Sequence, residues 1–462
     1  MSTRRSFLLS AAAAAAAPQA PLVSNRPPAA DRKFSSDAVE AAIQDARRNI
    51  ADPELAWLFE NCYPNTLDTT VRTGVLDGKP DTFVVTGDID AMWLRDSTAQ
   101  VWPYLPLARD DAKLRRMLAG VVNRQARCVL LDPYANAFNF GPTGSEWAQD
   151  RTRMRPELHE RKWEIDSLCY VVRLAYGYWK TTGDESCFDR AWQDAAALLV
   201  KTFREQQRIQ NRGPYSFQRN TTNPTDSLPH GGFGNPARPC GMIHSGFRPS
   251  DDACIFPFLV PSNRFAVTSL KQLSEMVAAL GNGGLASECR ALAAEVSAAI
   301  DGNARAMHPR HGEIYAYEVD GFGSRLLMDD ANVPNLLGLP YLGCCGVDDP
   351  LYRRTRAFVL SEDNPYFYRG AAGVGLGSPH SGLGSIWPIG IVMRAMTSQD
   401  PAEIAECLNL LKTTHAGTGF MHESFSRDNA ARFTRKWFAW ANTLFGELIL
   451  RVLATYPDVL AK

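Results

Sequence analysis

Apolar side chains return at helical spacing from residue 35 almost to the C-terminus, and very few segments alternate as strands do. Leu168, Val172, Leu174 and Tyr178 form one such stripe; Ala196, Leu199, Val200 and Phe203 form another. The pattern predicts helices near 35–50, 96–105, 110–131, 165–182, 185–209, 262–280, 284–301, 350–361, 383–398, 401–414 and 436–456. Gly183, between Thr182 and Asp184, stops one helix just before the next begins, as in a helical hairpin. Strand signals are confined to Thr82–Val85 and Glu313–Val319. Many amphipathic helices must bury their faces against one another, and no break in composition divides the chain. We therefore expect one all-α catalytic domain over 31–462, an (α/α)6 barrel of six hairpins closed into a toroid, with minor β-hairpins in its loops. Closure of that kind would bring every second loop to one mouth.

The first residues read differently. Arg4-Arg5, then Phe7-Leu8-Leu9 and the alanine run Ala11–Ala17, have the order of a twin-arginine export signal. Residues 1–30 are accordingly expected to be a signal peptide followed by a Pro-rich tether, and the protein to be exported, periplasmic or secreted. Beyond them no apolar run reaches the roughly 20 residues of a membrane span. Lys and Arg number 49 against 50 Asp and Glu, a balance that argues against nucleic acid or an anionic membrane as partner. The ten cysteines have neither CxxC nor zinc-site spacing, and most lie in helical stripes as small apolar residues. A monomer or weak homo-oligomer is expected, with no cofactor and no metal.

The long loops between helices are rich in Gly, Pro, His, Trp and acids, and such loops usually carry function. GDIDAMWLRDS (87–97) gathers Asp90, Trp93, Arg95 and Asp96. A carboxylate and a guanidinium can bracket vicinal sugar hydroxyls while an indole stacks on the C–H face. The plainer alternative is an internal ion pair of Arg95 with Asp96 or Asp90. HSGFRPSDDA (244–253) sets Asp251 and Asp252 beside Arg248 and His244. Acids in a first helical turn are common caps, but two crowded carboxyls also raise the pKa of one, as a general acid needs. GFMHESF (419–425) mounts Glu423 next to His422 between glycines and aromatics, where it would suit a base acting on water; a surface pair with Arg427 is the alternative. Trp437 and Trp440 downstream fit a core stripe. WEIDSLCY (163–170) adds Glu164 and Asp166, MDDANVP (328–334) adds Asn332, and HSGLGSIWP (380–388) adds His380 and Trp387. Asp329 and Asp330 are too few for a calcium or magnesium site. There is no P-loop, no dinucleotide fingerprint and no HExxH.

Six such blocks, in order across residues 35–455, resemble glycoside hydrolase family 125, the exo-acting α-1,6-mannosidases. The resemblance implies an (α/α)6 barrel and metal-independent, inverting removal of terminal non-reducing α-mannose, with a mannose-containing oligosaccharide as partner. It assigns the general acid to Asp251 or Asp252, without choosing between them, and the general base to Glu423. It puts Arg95 and Asp96 on the hydroxyls of the terminal sugar, with Asp90 near. Trp93, Glu164, Asp166 and Asn332 are expected to bind substrate, and His244, Arg248, His380, Trp387 and His422 to line the pocket. Inversion needs a water between the sugar and its base, so the two carboxyls should stand about 6.5–9.5 Å apart. The competing readings are a non-catalytic carbohydrate-binding toroid, or an enzyme of the same architecture acting on another sugar or by β-elimination.

Overall fold

The computed structural model describes residues 22–461; the expected signal peptide lies outside the described residues. The longer helices are α1 (Asp37–Asn49), α2 (Pro53–Cys62), α3 (Leu94–Val101), α4 (Ala112–Leu131), α5 (Ile165–Thr182), α6 (Arg190–Gln206), α7 (Val260–Ala279), α8 (Gly283–Asn303), α9 (Pro350–Val359), α10 (Pro388–Met396), α11 (Pro401–Thr413) and α12 (Ala439–Thr455). They pack in a consistent order. α3 lies against α5 and α12, α5 against α7, and α12 against α10. In the place between α7 and α10 in this packing order stands an irregular stretch, residues 333–344, that plays the same part. Val333 O accepts from the Tyr170 hydroxyl of α5, Cys344 O from Arg264 of α7, and the Tyr341 hydroxyl donates to Glu447 of α12. Outside these, α4 covers α5, α8 covers α7, α11 covers α10, and α2 covers α12.

The two groups of helices start in different ways. α1, α2, α4, α6, α8, α9 and α11 begin on Ser36, Asp52, Asp111, Asp189, Asn282, Asp349 and Asp400, whose side chains accept from backbone N–H groups of the first turn. Each such cap satisfies donors the helix itself cannot, at about 1 kcal/mol. α3, α5, α7, α10 and α12 instead follow Trp93, Glu164, Leu259, Trp387 and Phe438, and no side chain caps them. Their open N-terminal ends carry the partial positive charge of the helix dipole.

Two expectations change in detail. α2, not anticipated, contains Trp57-Leu58-Phe59, all buried; a helix covered on nearly every side shows no stripe. The strand expected over Glu313–Val319 is two. Gly312–Tyr315 pairs with Arg305–His308, whereas Glu318–Val319 joins Phe258–Leu259 and Arg325–Leu326. Two further three-stranded ribbons, through Met92–Trp93 and through Ser424–Ser426, fix the start of α3 and the end of the Glu423 loop.

The segment expected to be a tether is partly docked. Arg26 is bound to Glu40 and Asp68, Val23 O accepts from Trp57 Nε1, and Asn25 Nδ2 donates to Thr418 O. All ten cysteines are free thiols, seven of them buried.

Candidate active site

Trp93, Arg95, Asp96, Asp251, Asn332, His380, Trp387 and Glu423 line one cavity. Most of them sit at or just before the uncapped starts of α3, α10 and α12, or in loops laid across those ends. Trp93 immediately precedes α3, with Arg95 and Asp96 in its first turn, so side chains and open helix N–H groups converge there.

Arg95 organises the floor. Its Nη1 donates to Glu164 Oε2 at 2.7 Å and Asp166 Oδ2 at 3.2 Å, and its Nη2 donates to Asp251 Oδ1 at 3.2 Å. Its Nε lies 3.4 Å from Asp96 Oδ2. The expected alternative, a pair of Arg95 with Asp96, thus exists, but inside a larger cluster that opens on the cavity. Glu164 and Asp166 stand behind Arg95, fully buried, and support it instead of reaching the cavity.

Burial sets the protonation of these carboxyls. Burial, opposed by Arg95 and helped by Asp251, raises Asp96 to about 6. Burial would raise Asp251 as well. There, Arg95, the hydrogen bond with Glu164, Lys162 and His380 outweigh it and hold the carboxyl far below its usual range. Glu164 is pushed the other way, well above the ordinary range, by burial and by Asp251 and Asp166 against the pull of Arg95. Glu164 and Asp251 therefore hold one proton between them, resting on Glu164.

The two adjacent aspartates separate. Asp251 has φ of 65°, a left-handed backbone that is costly for a residue with a Cβ, and its side chain turns to Arg95. Asp252 turns away. It accepts from the hydroxyls of Thr225 at 3.0 Å and Ser250 at 3.3 Å, and lies 3.4 Å from His380 Nδ1. His380, at the rim, would be lowered by its surroundings, yet the hydrogen bond to Asp252 and the charges of Asp251 and Glu423 raise it to about 9.

On another wall Glu423 Oε1 is 3.1 Å from Arg435 Nε. Arg435 Nη1 donates to Asp88 Oδ1 at 2.8 Å, and Arg435 has φ of 47°. Gly419, before Glu423, has φ of +74°, and a Cβ there would stand 2.6–2.8 Å from Asn25, Asn61 and Trp57, so the loop passes where only glycine fits. Asn332 Nδ2 donates to Asp330 Oδ1, and Trp387 Nε1 donates to Ser381 Oγ, which fixes both side chains.

Four expected pocket residues lie elsewhere. Asp90 is exposed and pairs with Arg72 at 2.6 Å, on the far side of a tight turn. Arg248 is buried on Glu318 at 2.6 Å; that carboxylate also accepts from the N–H groups of Ile255 and Phe256, so the pair braces the loop. His422 stacks on Phe433 with centroids 3.8 Å apart, its Nδ1 3.1 Å from Arg435 O. His244 borders a different cavity with Arg208. Asp329 accepts from the N–H groups of Leu336 and Leu337 and serves the irregular segment.

Some lining residues were not anticipated: Thr86, Ile89, Pro249, Ser250, Arg435 and Phe438. Trp440, read as core stripe, packs edge-on to Tyr170 and also lines the cavity. Trp437 is only half-buried, beside Gly87. Arg435 carried a faint signal, standing in a basic-aromatic run just ahead of a helix.

The family model described as metal-independent alpha-mannosidase (GH125) matches residues 52–450. The meiotically up-regulated gene 157 protein of Schizosaccharomyces pombe is 42% identical over 456 residues, 95% of this chain and 90% of that one. A metal-independent α-mannosidase of Streptococcus pneumoniae, solved as a non-productive complex with α-1,6-mannobiose, is 43% identical. It superposes with a TM-score of 0.88 over 92% of this chain and 100% of that one. A bacterial glucoamylase complexed with acarbose shares the fold at 13% identity, with a TM-score of 0.52 over 90% of this chain and 59% of that one.

Proposed function

The chain belongs to glycoside hydrolase family 125, the metal-independent α-mannosidases, and we propose that it removes terminal α-1,6-linked mannose with inversion of configuration. We also read the helices as a closed (α/α)6 toroid, in which the irregular stretch after Asn332 stands in for one inner helix. The observation that carries the functional reading is the single cavity shared by Asp251 and Glu423, floored by Arg95 and Asp96 and walled by Trp93, Trp387, Phe438 and Trp440.

The chemistry follows from what each group holds. The terminal mannose enters with its C–H faces on the aromatic walls and its hydroxyls on Arg95 and Asp96. Asp251, ionised at rest, takes up the proton held on Glu164 and delivers it to the glycosidic oxygen, so the C–O bond breaks to release a neutral alcohol. A water on the opposite face attacks the anomeric carbon as it gains cationic character. Glu423, kept in place by Arg435, takes the proton of that water, and the product leaves as β-mannose. Asp251 is the better donor of the adjacent pair because it lines the cavity. Asp252, tied to Thr225, Ser250 and His380, positions the rim.

Proton NMR of fresh α-1,6-mannobiose digests tests the reading. β-Mannose should appear first and mutarotate afterwards. First-formed α-mannose, or no release at all, would overturn it, and the second outcome would favour a binding protein on the same scaffold.

A further inference from the structure

On another side of the acid-bearing loop, a second cavity of about 410 Å³ opens between residues 208–212, after α6, and residues 230–239. Its lining includes Arg208, Arg212, His230, Phe233, His244 and Phe258, and no Asp or Glu. Arg208 is the unusual member. Its Nη1 donates to Phe233 O at 2.9 Å and stands 2.9 Å from His244 Nε2, and its Nε donates to Gln206 Oε1 at 3.1 Å. Its Nη2 is buried and has no partner. Among the described residues no carboxylate pairs with it, whereas the buried Arg95, Arg219 and Arg248 each meet at least one. Burial and the neighbouring Arg212 lower Arg208 to about 10, still charged at neutral pH.

His244 adds a second orphan. Burial and Arg208 hold it far below its usual range, so the ring is neutral. With Nε2 accepting from Arg208, its proton sits on Nδ1, which is buried and unpartnered. A buried guanidinium N–H that lacks an acceptor is costly inside a protein, and an anion in the cavity relieves it. Arg208 and His230 also hold φ of 55° and 53°. Among the described residues, the other non-glycine positions at positive φ are Asp77, Asp251, Ala416 and Arg435, two of them in the catalytic cavity.

We propose that this cavity is a second binding site, for a phosphate or carboxylate oxyanion carried on a small organic molecule. Arg208 grips the oxyanion, Arg212 adds charge, and Phe233 and Phe258 offer apolar surface to the remainder. His244 begins the segment that ends at Asp251, so an occupant borders the acid-bearing loop without entering the catalytic cavity.

Isothermal calorimetry and thermal melting of the whole protein test this with inorganic phosphate, acetate and a hexose phosphate, each against chloride at equal ionic strength. Saturable binding and a rise in melting temperature are expected in at least one of these. Whichever of phosphate and acetate binds more tightly identifies the oxyanion. Arg208→Gln should weaken binding at least about tenfold. Arg212→Gln should weaken it less and leave mannobiose turnover without the anion unchanged. Identical melting in all salts overturns the proposal, as does wild-type affinity in both variants. If Arg208→Gln does not fold, unchanged affinity in Arg212→Gln is enough to overturn it.

Discussion

Arg435 joins two loops at the catalytic cavity: its Nε is 3.1 Å from Glu423 Oε1, while its Nη1 holds Asp88 Oδ1 at 2.8 Å. A base that must aim at one water tolerates little misplacement, and a small error in position can cost about 100-fold in rate. Arg435→Ala should therefore lower kcat by about 100-fold while KM for α-1,6-mannobiose changes little. Glu423→Gln, which removes the base itself, should abolish turnover yet still bind the disaccharide. Steady-state rates with calorimetric binding separate the two, and near-native turnover by Glu423→Gln would remove the assigned base.

Asp251 and Asp252, neighbours in the chain, should respond differently to the same substitution. Asp251→Asn removes the carboxyl in the cavity and should leave no measurable hydrolysis. Asp252→Asn loses only the link to His380, Thr225 and Ser250, and should retain about 1–10% of kcat. Glu164→Gln, which keeps the shape but cannot pass a proton to Asp251, should behave nearly as Asp251→Asn. Aryl mannosides with good leaving groups need little protonation, so they should partly rescue Asp251→Asn and Glu164→Gln but not Glu423→Gln.

The buried Asp96 makes stability depend on pH. Its folded value, about 6, lies above the ordinary 3.8, so the folded state binds this proton more tightly than the unfolded chain. This group's contribution is intact below the unfolded value and is lost as pH rises through about 6, by up to roughly 3 kcal/mol. Asp96→Asn should flatten that part of the curve and melt higher than wild type at pH 8, while losing activity. Denaturant unfolding between pH 4 and pH 8 reads the slope; an unchanged slope in Asp96→Asn would contradict the assignment.

Gly419→Ala should cost about 2 kcal/mol or more, because the added Cβ meets Asn25, Asn61 and Trp57 at a positive φ. The same shift would move the loop that carries Glu423. Melting temperature and kcat should fall together, and a variant that melts lower with full kcat would uncouple the loop from the base.

Where a helix has one buried face and ends on a polar signal, its limits can be read directly. α5 runs over the anticipated 165–182 because Gly183, at φ of 67°, closes it in the left-handed conformation. α2 escaped because burial on nearly every side erases the periodicity. α10 starts at Pro388, later than the stripe suggested, because Ser385–Ile386 pairs as a strand with Phe425–Ser426. In the site, the blocks marked the right loops but not the direction of each side chain. Asp251 and Asp252 part because of one positive φ. Asp90, Arg248 and His422 sit beside cavity residues in sequence yet turn outward or into the supporting structure, and His244 faces a different cavity. Trp440 seemed an ordinary core aromatic because it is both wall and core.

The ten free thiols have a consequence for where such a molecule can operate. Burial raises Cys62, Cys128, Cys169, Cys254 and Cys407 above the ordinary thiol range, so little thiolate is present to react with an oxidant. No cross-link among the described residues holds the chain together either. Glutathione, air or a thiol reductant should all find the same fold, one that owes its persistence to packed helices and is indifferent to the electron balance of its surroundings.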